Sequence, residues 1–197
     1  MNCNDLLTQD ILKDCDNKPV GGNEADVVIV AKEDIDYSST TFDATNPLLV
    51  TDLVLKAGKT GYVLEGVKQT NITSYELVKK ENSFDKFKHT FTGVILNPSA
   101  ANKAALREIA SGGDYVVIVN RKWKGADNAD AFEIYGWNGV FEIATTTYNS
   151  NENDGVINFS IAHVDGYEDT ELPLNLIETD YDTTLTAFGN KFAQAAA

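Results

Sequence analysis

The tripeptide Gly58-Lys59-Thr60 lies within LVLKAGKTGYVLEG, residues 53–66, and matches the last three residues of the loop with which many nucleotide-hydrolysing enzymes cradle phosphate. That loop needs a further glycine five positions before Gly58, and it must open a helix whose N-terminus faces the anion. Leu53 occupies the glycine position, and the residues after Thr60, Gly61 to Val67, carry the aromatic and β-branched side chains of a strand. The stretch therefore predicts a strand, a turn over Ala57 to Thr60 and a second strand: a hairpin with Gly58 at positive φ and Lys59 solvated at the tip.

The other residues with chemical potential lack the neighbours their chemistry requires. His89 and His163 are the only histidines, and no nucleophile-elbow motif accompanies them, so they are expected to be satisfied or solvent-facing strand residues. Glu133 and Glu142 offer a carboxylate pair for general acid and base work, but in a chain with 30 acidic residues such a pair arises by density alone. Asn149 to Gly155 opens like a calcium loop, yet Ile161 stands where the bidentate glutamate belongs, which favours a hairpin connection. Trp123 and Trp137 suit sugar-stacking platforms, or equally a loop anchor and a core residue. The sequence assigns no catalytic residue, no cofactor and no metal.

Strand-like runs must position whatever site exists. They cover Asp26–Ala31, Leu48–Lys56, Gly61–Val67, Ser74–Lys80, Lys88–Leu96, Asp114–Asn120, Ala131–Trp137, Val140–Tyr148 and Gly155–Val164, several alternating apolar with polar. Asn138-Gly139 and Asp154-Gly155 read as hairpin turns, and Leu172 to Ile177 as an edge strand, because Pro173 cannot donate to a ladder. A mid-chain helix is expected from Pro98 to Ser111, capped by Asn97 and lying on a sheet. A short closing helix after Asp180 is expected to turn Leu185, Phe188 and Phe192 to one side. The fold class is thus mainly β, a sandwich or barrel of roughly nine to eleven strands, with one helix on the sheet and another at the C-terminus.

At 197 residues the chain accommodates one core, with an N-terminal arm over residues 1–25 and a single β-rich domain over residues 26–197. The net charge of −14 argues against tight binding of nucleic acid through its phosphates, and the basic patches Lys79-Lys80 and Arg121-Lys122-Trp123-Lys124 are too small to offset it. Those patches are instead expected to meet acidic surface on an identical neighbour. Cys3 and Cys15 read as reduced thiols of a protein made in a cytoplasm, and no signal peptide or membrane-spanning run is evident.

Taken in order, hairpin, strands, an Asn-Pro-Ser helix, a basic loop, a Phe-Ser-Ile-Ala strand and an acidic Tyr167-Glu168-Asp169 turn into Leu172-Pro173-Leu174 make a pattern over about residues 1–193. It resembles structural proteins encoded in the virion modules of tailed phages of gut Bacteroidetes, including crAss-like phages. The resemblance implies a non-enzymatic virion protein, assembled in the bacterial cytoplasm and located in the tail. In a tail tube or tail ring, copies stack with an arm gripping the next subunit, beside other tail proteins, around DNA that passes without tight binding and with no membrane involved. On that reading the arm with Leu6, Leu7, Ile11 and Leu12, the loop carrying Phe84 and Phe87, and the loop carrying Lys122, Trp123 and Lys124 lie between subunits. A head–tail connector or capsid-decorating protein is the alternative within that class. A carbohydrate-binding or hydrolytic β-sandwich is the alternative outside it.

Overall fold

A computed structural model describes residues 10–67 and 69–194. Among the described residues, eleven strands form two open sheets. The strands are β1 (Asn23–Ala31), β2 (Thr41–Phe42), β3 (Leu49–Asp52), β4 (Tyr62–Leu64), β5 (Ile72–Val78), β6 (Lys86–Ile95), β7 (Tyr115–Arg121), β8 (Phe132–Tyr135), β9 (Phe141–Tyr148), β10 (Ile157–His163) and β11 (Leu174–Leu176). The seven-stranded sheet runs β2-β3-β11-β8-β7-β1-β4, and the four-stranded sheet β5-β6-β10-β9 packs over it as a β-sandwich. Helix α1 spans Ala100–Ile109 and α2 spans Tyr181–Gly189.

Burial explains which strands alternate and which do not. The central strands β1 and β7 are covered on both faces and read as unbroken runs, Val27 to Val30 and Val116 to Val119. Val27, Ile29, Val117 and Val119 face the small sheet, where they meet Phe91, Phe141, Phe159 and Ile161. Val28, Val30, Val116 and Ile118 face the other way, onto Phe188 and Phe192 at the C-terminus. The small sheet has one solvated face, so β6 alternates buried and half-buried along KFKHTFTGVI. Gly93 holds a buried position in that alternation without a side chain: a Cβ there would stand 2.7 Å from Leu64 Cδ2 and 3.0 Å from the Phe159 ring, which fill its place.

Several local expectations are corrected. The turn at Gly58 exists, with φ +73, but β3 and β4 do not pair; β3 joins β2 and β11, while β4 pairs with β1 at the opposite edge. Lys59 is solvated as expected, and it also bridges Asp34 at 2.8 Å. Asn138-Gly139 likewise closes no hairpin, because β8 belongs to the large sheet and β9 to the small one. Strand β11 is internal, parallel to β3 and antiparallel to β8. Pro173 stands just before its paired residues, so the missing N–H removes no ladder bond.

At α1 the cap is Ser99, whose side chain accepts from the Asn102 N–H at 3.2 Å, not Asn97, and Pro98 therefore precedes the helix. On α2, Thr184 and Phe188 share the buried face at i, i+4 spacing, whereas Leu185, about 100° further round, is exposed. The arm ends at Gly22, since Asn23 already pairs with Arg121. No described helix is long and apolar enough to cross a membrane.

Candidate functional site

Where the chain leaves β8 for β9 it crosses from one sheet to the other, and the crossing residues lose their ladder partners. Three buried side chains replace them. His89 on β6 and His163 on β10 project inward from adjacent strands, and Asp169 arrives on the turn after β10, which pairs back onto Phe87 through two backbone hydrogen bonds of 2.8 and 2.9 Å. The Gly136 N–H donates to His89 Nδ1 at 3.1 Å, and the Asn138 N–H donates to Asp169 Oδ2 at 2.9 Å. The His163 Nε2–H donates to the Asn138 carbonyl at 3.0 Å, and the His89 Nε2–H to the Glu171 carbonyl at 3.2 Å. His163 Nδ1 accepts from the His89 backbone N–H at 2.9 Å, and Asp169 Oδ1 from the Glu171 N–H at 2.9 Å.

Among the described residues this is the one group of three His, Cys, Asp or Glu side chains close enough to hold a metal ion, with ligand atoms within 4.8 Å of one another. The hydrogen bonds answer whether it does so. Both imidazoles accept at Nδ1 and donate at Nε2, which defines neutral tautomers with every nitrogen engaged. A cation would have to break at least one buried backbone bond at each histidine. The cluster is built to satisfy the crossing turn, as expected for strand histidines with internal partners.

Electrostatics follow from the same burial. Burial lowers the His89 imidazole to about 4, with the Asp169 carboxylate opposing the shift and His163 adding to it. His163 is lowered too, again first by burial, against its bond to the Asn138 carbonyl. Beside them, burial pushes the Glu168 carboxyl up, but the Lys80 ammonium at 2.7 Å and the Gly166 N–H together outweigh it and bring the group to about 2. Lys32 contacts Asp114 at 3.0 Å and the Gly139 carbonyl at 2.9 Å, and burial lowers its ammonium in spite of these partners.

Glu133 and Glu142, whose pairing the sequence attributed to acidic density alone, are not brought together. Glu133 lies on β8, where it accepts from Arg121 Nη1 at 2.6 Å and from the Tyr135 hydroxyl at 2.8 Å, and burial raises its carboxyl. Glu142 lies on β9 in the other sheet, opposite Ala162. The tryptophans also separate: Trp137 packs edge-on to Tyr37 and Phe42, while Trp123 lies under the Arg121 guanidinium and donates to the Asn17 carbonyl at 3.1 Å. Asn149–Gly155 forms the β9–β10 connection, with Asp154 and Gly155 at positive φ.

Of the residues expected between subunits, Leu6 and Leu7, like Cys3, lie outside the described residues. Ile11 and Leu12 are exposed, and Cys15 is free. Phe84 is exposed at the end of the β5–β6 hairpin, and Phe87 is half-buried beside Asp169. The basic loop is engaged within the chain. The Lys122 N–H donates to the Gly22 carbonyl, Lys124 contacts Asn120 at 2.7 Å and Glu24 at 3.6 Å, and the other patch pairs Lys79 with Asp85 and Lys80 with Glu168. Gly22, Glu24 and Glu168 lie far along the chain from the lysines they meet, so spacing gave no sign of them, whereas Asn120 and Asp85 are local partners. The Arg121–Glu133–Tyr135 group was missed for the same reason, although Glu133 and Tyr135 share a face of one strand. In comparisons with known proteins, no family model, curated protein or solved structure matches this chain.

Proposed function

We propose that this chain is an architectural protein of a phage virion, a tail-tube or tail-ring subunit whose copies join head-to-tail into a ring around a DNA conduit. The observation that carries the reading is β5. Among the described residues this seven-residue strand pairs only with β6, leaving its outer edge open, and it exposes Ile72, Tyr75 and Leu77. An open, apolar-flanked edge of that length is a template for another strand, and a closed ring of identical subunits consumes it without runaway aggregation. The charge of −14, repeated around a ring, creates a negative field that keeps DNA from adhering to the wall. The engagement of both histidines by backbone groups favours an architectural role over a catalytic one.

Light scattering after size-exclusion chromatography, with negative-stain imaging across a concentration series, tests the proposal. Rings or tubes are expected for the full chain. Leu77→Lys should dissolve them while leaving the circular dichroism spectrum unchanged, and removal of residues 1–22 should prevent stacking. A closed ring that never stacks assigns a head–tail connector instead. A monomer at every concentration overturns the reading.

A further inference from the structure

Beneath β5 the two sheets stand apart. The space between them has a volume of about 600 Å³, lined by Asn71, Thr73 and Tyr75 on one side and by Arg121, Glu133 and Tyr135 on the other. That lies within the usual range for small-molecule sites. Tyr75 and Thr73 belong to the inward-facing set of β5, opposite His89 and Phe91, yet Tyr75 is 52% exposed because no strand of the large sheet covers it.

The lining is polar on both walls, with one group left over. The Asn23 side-chain amide donates to the Asn71 carbonyl and to Thr73 Oγ1, both at 3.2 Å. Across the cleft, the Tyr135 hydroxyl and the Arg121 guanidinium both donate to Glu133. Asn71 is 3% exposed, and its Nδ2 donates to the Ala25 carbonyl at 2.6 Å, but its Oδ1 has no partner. A buried amide oxygen without a donor is a standing cost, and it marks this wall as one whose polar groups are not all matched within the chain.

These groups define the ligand. The Glu133 carboxylate, whose oxygens have acceptor capacity beyond the bonds from Arg121 and Tyr135, calls for donors. Arg121 makes one side-chain hydrogen bond among the described residues, and its remaining N–H groups call for acceptors. The half-exposed Tyr75 ring presents an apolar wall suited to a C–H face. The charges of Arg121 and Glu133 already compensate each other, so an ionic ligand would bring an unmatched charge into the cleft, whereas a neutral one would not. We propose that the cleft binds a neutral hexopyranose unit of a glycan. The proposal rests on the cleft lining and does not use the outer backbone edge of β5.

The experiment is a ¹H–¹⁵N NMR titration with the methyl glycosides of glucose, galactose, mannose and N-acetylglucosamine, on the full chain and on Leu77→Lys, whose substitution lies outside the cleft lining. Saturable shifts are expected for at least one sugar at Asn71, Thr73, Tyr75 and Arg121, in both proteins. Tyr75→Ala, a change at an exposed side chain, should weaken binding about ten-fold or more. Glu133→Gln should do the same, because it turns one of the two acceptor oxygens into a donor. Absence of saturable shifts with all four sugars overturns the proposal, as does binding that Tyr75→Ala leaves unchanged.

Discussion

Mild acid should loosen this protein well before its carboxylates titrate, because of the histidines beneath the crossing turn. His89 is held at about 4, against 6.5 for an unperturbed imidazole, chiefly because burial disfavours the charged ring. Between those two values the unfolded chain binds a proton that the folded chain refuses. Stability is therefore fully present above pH 6.5 and falls as the pH drops towards 4. For His89 alone, one-site linkage gives a loss of about 2 kcal/mol on going from about pH 7.5 to about pH 5. His163 is shifted the same way and adds to the slope. Glu133 acts in the opposite sense: burial raises its folded-state carboxyl, so protonation favours the folded chain and softens the acid end. Urea unfolding followed by tryptophan fluorescence across this pH series measures the slope, with a constant m-value as the check on two-state behaviour. His89→Gln should lower stability near neutrality and flatten the pH dependence. NMR of the histidine nitrogens in the unsubstituted protein should show His89 still neutral, with its proton on Nε2, near pH 5. Stability that is level or rising as the pH falls through this window would refute the reasoning, as would an unchanged slope in His89→Gln.

Three further changes probe the rest of the structure. Lys80→Met leaves the buried Glu168 carboxylate without its cation, and calorimetry should show a loss of about 3–5 kcal/mol, partly restored in the double variant with Glu168→Leu. Because Glu168 sits at about 2 when folded, its contribution in the unsubstituted protein is present above about pH 4.5 and disappears as the pH falls through 2, a window separate from that of the histidines. Gly139→Ala places a Cβ at φ +68 against the Tyr167 carbonyl and should cost about 1–3 kcal/mol, seen as a lower melting temperature. Phe159→Ala, at a site 2% exposed between the sheets, should cost about 3–5 kcal/mol in denaturant titration.

The candidate site was only partly legible. His89 and His163 were expected to be satisfied or solvent-facing strand residues; both are buried with each ring nitrogen hydrogen-bonded, the first of those alternatives. Their partners were not visible, because Gly136, Asn138 and Asp169 reach them only once two sheets are stacked. Lys124 read as part of a basic patch expected to meet acidic surface on a neighbour, whereas the fold brings Glu24 and Asn120 of its own chain to its ammonium. The basic loop therefore presents less net positive charge than its sequence suggests.

What the sequence determined by itself was local. Alternating and continuous apolar runs marked the strands, Asn-Pro-Ser marked the region where α1 begins, and Gly58, Asp154-Gly155 and Asn138-Gly139 marked turns, because backbone preference and solvent exposure act within a few residues. Only the tertiary structure decided which strands meet. The turns at Gly58 and Asn138-Gly139 have hairpin chemistry yet send their strands to different places, since pairing is chosen by which apolar faces can be buried together across the whole sandwich. The same long-range choice put β11 inside the sheet in spite of Pro173, left the edge of β5 open, and assembled the histidines with Asp169.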